Sequence, residues 1–308
     1  MMSVIAAIDI GTNSILLTVA ELGAGEIRTL CERSHITRLG EGLNATGRLG
    51  VEPIRRSLEA VRQLLDEANR LRAETVLAVG TEVLRKASNA GDFVRACEAI
   101  GLRVEVITGE REAFLSYLSV AKDPLFAQRA ERLTMLDVGG GSTEISHGRS
   151  VRLEASLSYP IGAVRLTEGY LHTDPPTADE ITALQQAVRQ QLQQEPPLQE
   201  GEYLVGVGGT FVNLASLHGR YEIYDPSRVH GAVLSLQAMH ALANELCALP
   251  VVERRQLPGI EPDRAPVLHA GALIVLTVMQ ALQAEQVAVS MRGLRWGVIY
   301  EYADAHRD

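Results

Sequence analysis

A short phrase occurs twice in this chain, about one domain-length apart. Near the start it reads Ala7-Ile8-Asp9-Ile10-Gly11-Thr12-Asn13-Ser14, and in the middle Met135-Leu136-Asp137-Val138-Gly139-Gly140-Gly141-Ser142-Thr143-Glu144. Each copy is a buried-strand pattern ending in Asp, then a Gly/Ser/Thr/Asn turn, then a second apolar strand. Such a hairpin exposes N–H groups and hydroxyls at its tip, a concavity suited to phosphate oxygens. A single copy can be a purely structural polar turn. Two copies imply two similar domains, expected to face each other across a phosphate-binding cleft. The 308 residues, 46% of them apolar, are enough for two ordinary cores.

The formal net charge of −9 argues against non-specific nucleic-acid binding. Of 29 basic residues only Lys86 and Lys122 are lysines. The arginine excess suits phosphate forks, and an arginine-biased genome gives the same composition. Cys31, Cys97 and Cys247 are scattered, without zinc-ligand spacing or a disulfide framework. With no secretory leader pattern at the N-terminus, the expected location is cytoplasmic. The most apolar stretch, 265–282, contains His269, Thr277 and Gln280 and is expected as a buried helix rather than a membrane span.

Strands are expected at 4–9, 15–20, 27–33, 75–79 and 103–107, with helices at 52–72, 82–88, 92–100 and 110–121. Asp123-Pro124 marks the end of the first half, so the expected domains are 1–124 and 125–292. The second half repeats the hairpin from 133, adds strands at 151–158, 203–207 and 286–290, and places helices near 162–170, 178–194, 234–248 and 264–282. The closing segment, about 293–308, reads as a helix that packs back on the first domain. The class is α/β, with mixed sheets flanked by helices.

In the first turn Gly11 permits a tight backbone, while Thr12, Asn13 and Ser14 offer donors. In the second, Gly139, Gly140 and Gly141 remove every Cβ where a polyanion approaches the amides, and Ser142 and Thr143 follow. Asp137 and Glu144 flank that loop. Carboxylates beside a phosphate nest repel the ligand unless a hard cation lies between them, so Mg²⁺ is the expected cofactor. The alternative is that Asp137 caps the loop's own amides. The run Gly206-Val207-Gly208-Gly209-Thr210 closes a strand and opens a helix. Its Gly208, Gly209 and Thr210 are phosphate-binding candidates, although the run lacks a GK[ST] ending and GxGxxG spacing, and packing explains it equally well. Glu112, at a strand-to-helix junction, suits a base that activates water, or a helix-start acid favoured by the dipole. Thr81 reads as an N-cap, with Arg85 and Lys86 as positive lining or as a solvated helix face. His35, His172, His230 and His269 show no metal or triad spacing. The absence of Gly-x-Ser-x-Gly argues against an acyl-transfer serine hydrolase.

Together these stretches resemble the exopolyphosphatase / guanosine pentaphosphate phosphohydrolase (Ppx/GppA phosphatase) family, within the actin, hexokinase and Hsp70 superfamily. The resemblance rests on the two hairpins, Thr37-Arg-Leu-Gly-Glu-Gly-Leu43, Val79-Gly-Thr-Glu-Val-Leu-Arg85 with Asn89, Ile107-Thr-Gly-Glu-Arg-Glu-Ala113, Gly206-Val-Gly-Gly-Thr210 and Ser290-Met-Arg-Gly-Leu-Arg295. These run in family order over nearly the whole chain. The resemblance implies two actin-like (ribonuclease H-like) domains in a short form without the extra helical domains of longer relatives. It implies Glu112 as catalytic base, Asp137 and Glu144 as magnesium ligands with Asp9 as a further candidate, and Gly11–Ser14 and Gly139–Thr143 as phosphate loops. Arg85 would line the phosphate path, with Arg38, Arg165, Arg292 and Arg295 as candidates for further phosphates.

The activity so implied is removal of the terminal phosphate of polyphosphate, or of the 5′ phosphate of guanosine pentaphosphate, by direct attack of water. Neither nucleic acid nor a membrane is an expected partner, and a homodimer is consistent with the family. The chain departs from the pattern at Arg111, where the family has a first Glu, at Met291, where it has Asp, and at Trp296, where it has an acidic or polar residue. Arg111 is expected to add attraction for a polyanion. Two other functions share these features: a non-catalytic sensor of guanosine tetra- or pentaphosphate, and a superfamily kinase acting on a small molecule.

Overall fold

The computed structural model describes residues 3–23, 26–129, 131–222 and 225–306. The chain divides into two compact units, Met1–Ser119 with Leu294–Asp308, and Val120–Gly293.

The first unit opens with β1 (Ser3–Ile10), β2 (Ser14–Leu22) and β3 (Ile27–Ile36), followed by the short α1 (Leu43–Thr46) and the long α2 (Val51–Arg70). Then come β4 (Thr75–Gly80), α3 (Glu82–Lys86), α4 (Ala90–Ala99), β5 (Val104–Val106) and α5 (Gly109–Ala121). The strand order is β3-β2-β1-β4-β5, antiparallel through the two hairpins and parallel from β1 to β5.

β1 shows why both faces need cover. Ala6, Ile8 and Ile10 enter one core with Val61, Leu64 and Ala68 of α2 and Phe93 and Cys97 of α4. The alternate residues Ile5 and Ala7 enter another, with Leu115 of α5 and Leu294, Val298 and Ile299 near the C-terminus. This is the period-two geometry of a strand, and it assigns the next odd residue, Asp9, to the face covered by α5.

The second unit repeats the plan with β6 (Arg132–Val138), β7 (Thr143–Arg149) and β8 (Arg152–Tyr159), then α6 (Ala163–Tyr170), α7 (Ala178–Gln191), β9 (Tyr203–Val207) and α8 (Gly209–His218). The chain continues through α9 (Pro226–Val229), β10 (Val233–Ser235), α10 (Leu236–Ala248), α11 (Val251–Arg254), α12 (Ala265–Ala281) and β11 (Gln286–Ser290). Its sheet runs β10-β11-β9-β6-β7-β8, so β8-β7-β6-β9-β11 reproduces the order and sense of the first sheet.

The extra β10 pairs antiparallel with β11. It occupies the start of the segment expected as helix from 234. Three residues at a sheet edge carry no periodic signal.

α12 is buried over nearly its whole length and circumference, as an all-apolar helix must be. Among the described residues no helix is long and apolar enough to cross a membrane.

The last element, α13 (Leu294–Ala305), belongs to the first unit. Trp296 donates through Nε1 to Glu32 Oε1 at 3.1 Å, and Arg295 donates through Nη1 to the Leu17 carbonyl at 2.8 Å. Gly297 lets α13 lie directly against α5: a Cβ there would stand 1.8 Å from the Leu115 carbonyl oxygen.

Candidate active site

The two hairpin tips are built alike. Ile10 pairs with Ile15 and Val138 with Thr143, leaving four-residue turns at the same relative position. Gly11 N–H donates to Ser14 O at 3.0 Å, and Gly139 N–H donates to Ser142 O at 3.0 Å.

Each turn is tied from behind through its carbonyls. In the first, Asn13 O accepts from Thr37 and Arg38 N–H, and Thr12 O accepts from Gly40 N–H. The Thr37–Gly40 motif therefore buttresses the tip, and a Cβ at Gly40 would meet Thr12 Cγ2 at 2.4 Å. In the second, Gly139 O and Gly140 O accept from Ala163, Val164 and Arg165 at the start of α6, and Arg165 Nε reaches Gly141 O at 2.9 Å. Gly162 permits this approach, since a Cβ there would lie 2.4 Å from Gly140 O.

With the carbonyls engaged, the N–H groups of Thr12, Asn13, Gly140 and Gly141 have no protein acceptor among the described residues, and all four residues are exposed. Inward carbonyls and outward N–H groups are the polarity an anion requires.

Not every candidate side chain points toward a ligand. Thr143 is fully buried and its hydroxyl donates to Ile161 O at 2.5 Å. Thr210 is buried and donates to Val138 O at 2.8 Å. Both hydroxyls are therefore structural, which corrects any side-chain phosphate role and leaves these residues their backbone only.

Thr81 proves equivalent to Thr210. It stands at the N-cap position of α3, as expected, but its side chain makes no cap bond, and its hydroxyl donates instead to Ile10 O at 3.3 Å. Each unit thus ties the end of its first strand to the turn after its next parallel strand. This second repeat lies in Gly80-Thr81 and Gly209-Thr210 and escaped the sequence comparison because only two residues carry it.

The Gly206–Thr210 run divides between packing and close approach. A Cβ on Gly206 would strike the Phe211 ring, whereas Gly208 holds φ +88° and a Cβ there would stand 2.7 Å from Asp137 Oδ1. Gly209 lies under the Arg264 guanidinium, which is held by Glu261 Oε2 at 2.8 Å. Arg264 is a cation beside this turn that no motif singled out.

The carboxylates fall into two groups, one per unit. In the first, Asp9 is half-buried, with Oδ1 wholly buried and lacking a hydrogen-bond partner. Burial pushes its pKa up to about 7, with Arg295 pulling down and Glu112 pushing up. Glu112 sits in the first turn of α5 and accepts from Arg85 Nη1 at 2.7 Å. The same nitrogen donates to Ile107 O at 2.9 Å, so Arg85 holds Glu112 rather than standing as a free cation. Thr108 Oγ1 accepts from Arg111 N–H at 3.2 Å and so caps α5.

In the second unit, Asp137 and Glu144 are directly opposed across the β6–β7 ladder, which puts both carboxylates on one face. Ser158 Oγ donates to Glu144 Oε1 at 2.6 Å. The equivalent of Glu144 in the first hairpin is Leu16, opposite Asp9, so the carboxylate pair is particular to the second.

Among the described residues no three His, Cys, Asp or Glu side chains gather into a ready metal cage. Within the second unit, the Asp137 and Glu144 carboxylates on one face nevertheless fit a cation that keeps waters or phosphate oxygens in its shell.

Of the candidate arginines, Arg295 and Arg165 each spend one nitrogen on a carbonyl, and Arg292 is 3.4 Å from Asp123 Oδ2. Arg111 makes a two-pronged ion pair with Glu301, which corrects the expectation that it adds free attraction for a polyanion.

Two mixed sheets of one strand order, each turned into a buttressed N–H tip at its first hairpin, define a duplicated actin-like α/β protein. The profile of the Ppx/GppA phosphatase family matches residues 18–306, and the chain belongs to that family. It is 33% identical to exopolyphosphatase 2 of Mycobacterium tuberculosis, over 97% of this chain and 98% of that one. It is 29% identical to a guanosine-5'-triphosphate,3'-diphosphate pyrophosphatase of Photobacterium profundum, over 96% of this chain and 58% of that longer protein. Among solved structures, the Aquifex aeolicus Ppx/GppA family member matches with a TM-score of 0.88 at 34% identity, over the whole of both chains.

Proposed function

We propose that this chain is a magnesium-dependent phosphoanhydride hydrolase that removes the terminal phosphate of inorganic polyphosphate or of guanosine pentaphosphate. The observation that carries the reading is the pair of tips whose carbonyls are tied back and whose N–H groups are left outward. The names of the relatives, exopolyphosphatase and guanosine-5'-triphosphate,3'-diphosphate pyrophosphatase, support the same chemistry.

Thr12, Asn13, Gly140 and Gly141 donate N–H bonds to phosphoryl oxygens, where they stabilise charge that develops during transfer. Glu112, steadied by Arg85, orients the attacking water and takes its proton. Asp137 and Glu144 would hold Mg²⁺ in the second unit, Asp9 is a separate candidate for a cation in the first, and the ion would supply charge neutralisation for the leaving phosphate.

The test is phosphate release with magnesium from long-chain polyphosphate, guanosine pentaphosphate and ATP, using the wild type and Glu112→Gln. The expected result is release from one of the first two, lost by at least about 100-fold in the variant. Retained turnover in Glu112→Gln removes the base assignment. Tight binding without release overturns hydrolysis in favour of a sensor, and turnover that needs a second acceptor overturns it in favour of a kinase.

A further inference from the structure

The residue before Glu112 has a structural partner on a distant part of the chain. Arg111 Nη1 donates to Glu301 Oε1 at 2.6 Å, and Nη2 donates to Glu301 Oε2. Arg111 also lies 5.8 Å from the Phe114 ring centroid. Glu301 is carried by α13, which is itself anchored by Arg295 to Leu17 O, by Trp296 to Glu32, and by Tyr302 OH, 3.3 Å from Thr75 Oγ1. The pair therefore ties the first turn of α5 to a helix pinned on the sheet.

Successive residues leave a helix about 100° apart. Arg85 engages Glu112 from one direction, and Glu301 engages Arg111 from another. Two tethers at that angle fix the rotation of the turn about its axis, which one tether cannot do. A fork-to-fork guanidinium–carboxylate pair adds directional constraint as well as attraction.

Both side chains are 39% exposed, so the pair contributes little to global stability. Its consequence is geometric. The local cap, Thr108 Oγ1 to Arg111 N–H, fixes where α5 begins but not how its side chains are aimed.

We propose that the Arg111–Glu301 pair is a positioning device that holds the Glu112 carboxylate in its working orientation. The proposal rests on the reading of Glu112 as the base. A misplacement on the order of 1 Å can cost about 100-fold in rate. A loosened first turn with Arg85 still in place should cost less, about 5- to 20-fold.

The experiment measures kcat, KM and Tm for Arg111→Ala, Glu301→Ala, Arg111→Lys and the charge swap Arg111→Glu/Glu301→Arg, beside Glu112→Gln. The two alanine variants should lose about 5- to 20-fold in kcat, with KM within about twofold and Tm within about 3 °C. Arg111→Lys should fall between them and wild type, because an ammonium keeps the charge but not the fork. The swap should recover most of kcat.

Wild-type kcat in the alanine variants overturns the proposal, as does a swap that restores Tm without restoring kcat. If an alanine variant fails to fold, the lysine and swap variants decide by the same criteria. Retained turnover in Glu112→Gln fails the base reading and the positioning role with it. Lost turnover there with unchanged alanine variants fails the positioning role alone.

Discussion

Replacing Asp9 by Asn should make this protein more stable and less active, and the gain should depend on pH in a defined sense. Burial raises the Asp9 carboxyl from its ordinary 3.8 to about 7. A raised acid pKa means that the folded state holds a proton the unfolded chain has already released. Stability contributed by this group therefore falls as pH rises from about 3.8 to about 7, and above that the full penalty applies. A shift of this size corresponds to at most about 4 kcal/mol. Asp9 is only half-buried as a residue although Oδ1 is wholly buried, so solvent screening reduces the expected gain to about 2 kcal/mol at pH 8. Urea unfolding of wild type and Asp9→Asn at pH 5 and pH 8, in chelator, measures it directly. The variant should gain about 2 kcal/mol at pH 8 and a little over a third of that at pH 5, where the titration from 3.8 to about 7 is only partly complete. Equal stability at pH 8, or a gain of the same size at both pH values, would refute the claim that a buried carboxylate carries this penalty.

Two further outcomes follow from contacts elsewhere in the two units. Gly297→Ala gains helix propensity worth about 1 kcal/mol but forces a Cβ to within 1.8 Å of Leu115 O, so net destabilisation above about 2 kcal/mol is expected by thermal melting; an unchanged or higher Tm would show that α5 and α13 separate easily. In the second unit His147 Nε2 lies 3.3 Å from Glu195 Oε2 and Nδ1 lies 3.4 Å from Glu202 Oε1. Hydrogen bonding to Glu195 raises the His147 pKa above 6.5 against the opposing effect of burial. Burial pushes Glu195 and Glu202 up, but hydrogen bonds from His147, Tyr159 and Thr134 hold both below 4.5. The histidine contribution is complete below pH 6.5 and is lost as pH rises through its raised value, and the carboxylate contribution is lost as pH falls below 4.5. His147→Gln should therefore cost about 2 kcal/mol near pH 5.5 and less at pH 9, and an equal cost at both pH values in urea titrations would contradict the charged cluster.

The duplicated hairpins were legible because their determinants are local. The bond closing each tip joins residues three positions apart, Gly11 to Ser14 and Gly139 to Ser142. The strands around them announce themselves by apolar runs ending at Asp9 and Asp137. The buried helix α12 was legible for a similar reason: it is apolar on every side, and only an interior accepts such a surface. The opposition of Asp137 and Glu144 also follows from local pairing, once the turn length sets the register.

Tertiary structure decided what each polar side chain does with its hydrogen-bonding capacity. Thr143 and Thr210 look like phosphate donors in the sequence, yet both hydroxyls turn inward to carbonyls that the turn residues alone do not specify. Arg111 looks like a free cation until Glu301, 190 residues away, takes both prongs of its guanidinium. Arg264 carries no motif and gains its place only because α12 starts beside Gly209. Periodicity and turn chemistry are short-range properties of the chain, so the amino-acid sequence by itself determined the repeated units and their tips. The pairing of charges and hydroxyls depends on which distant elements packing brings together, and that became determinate only in the folded chain.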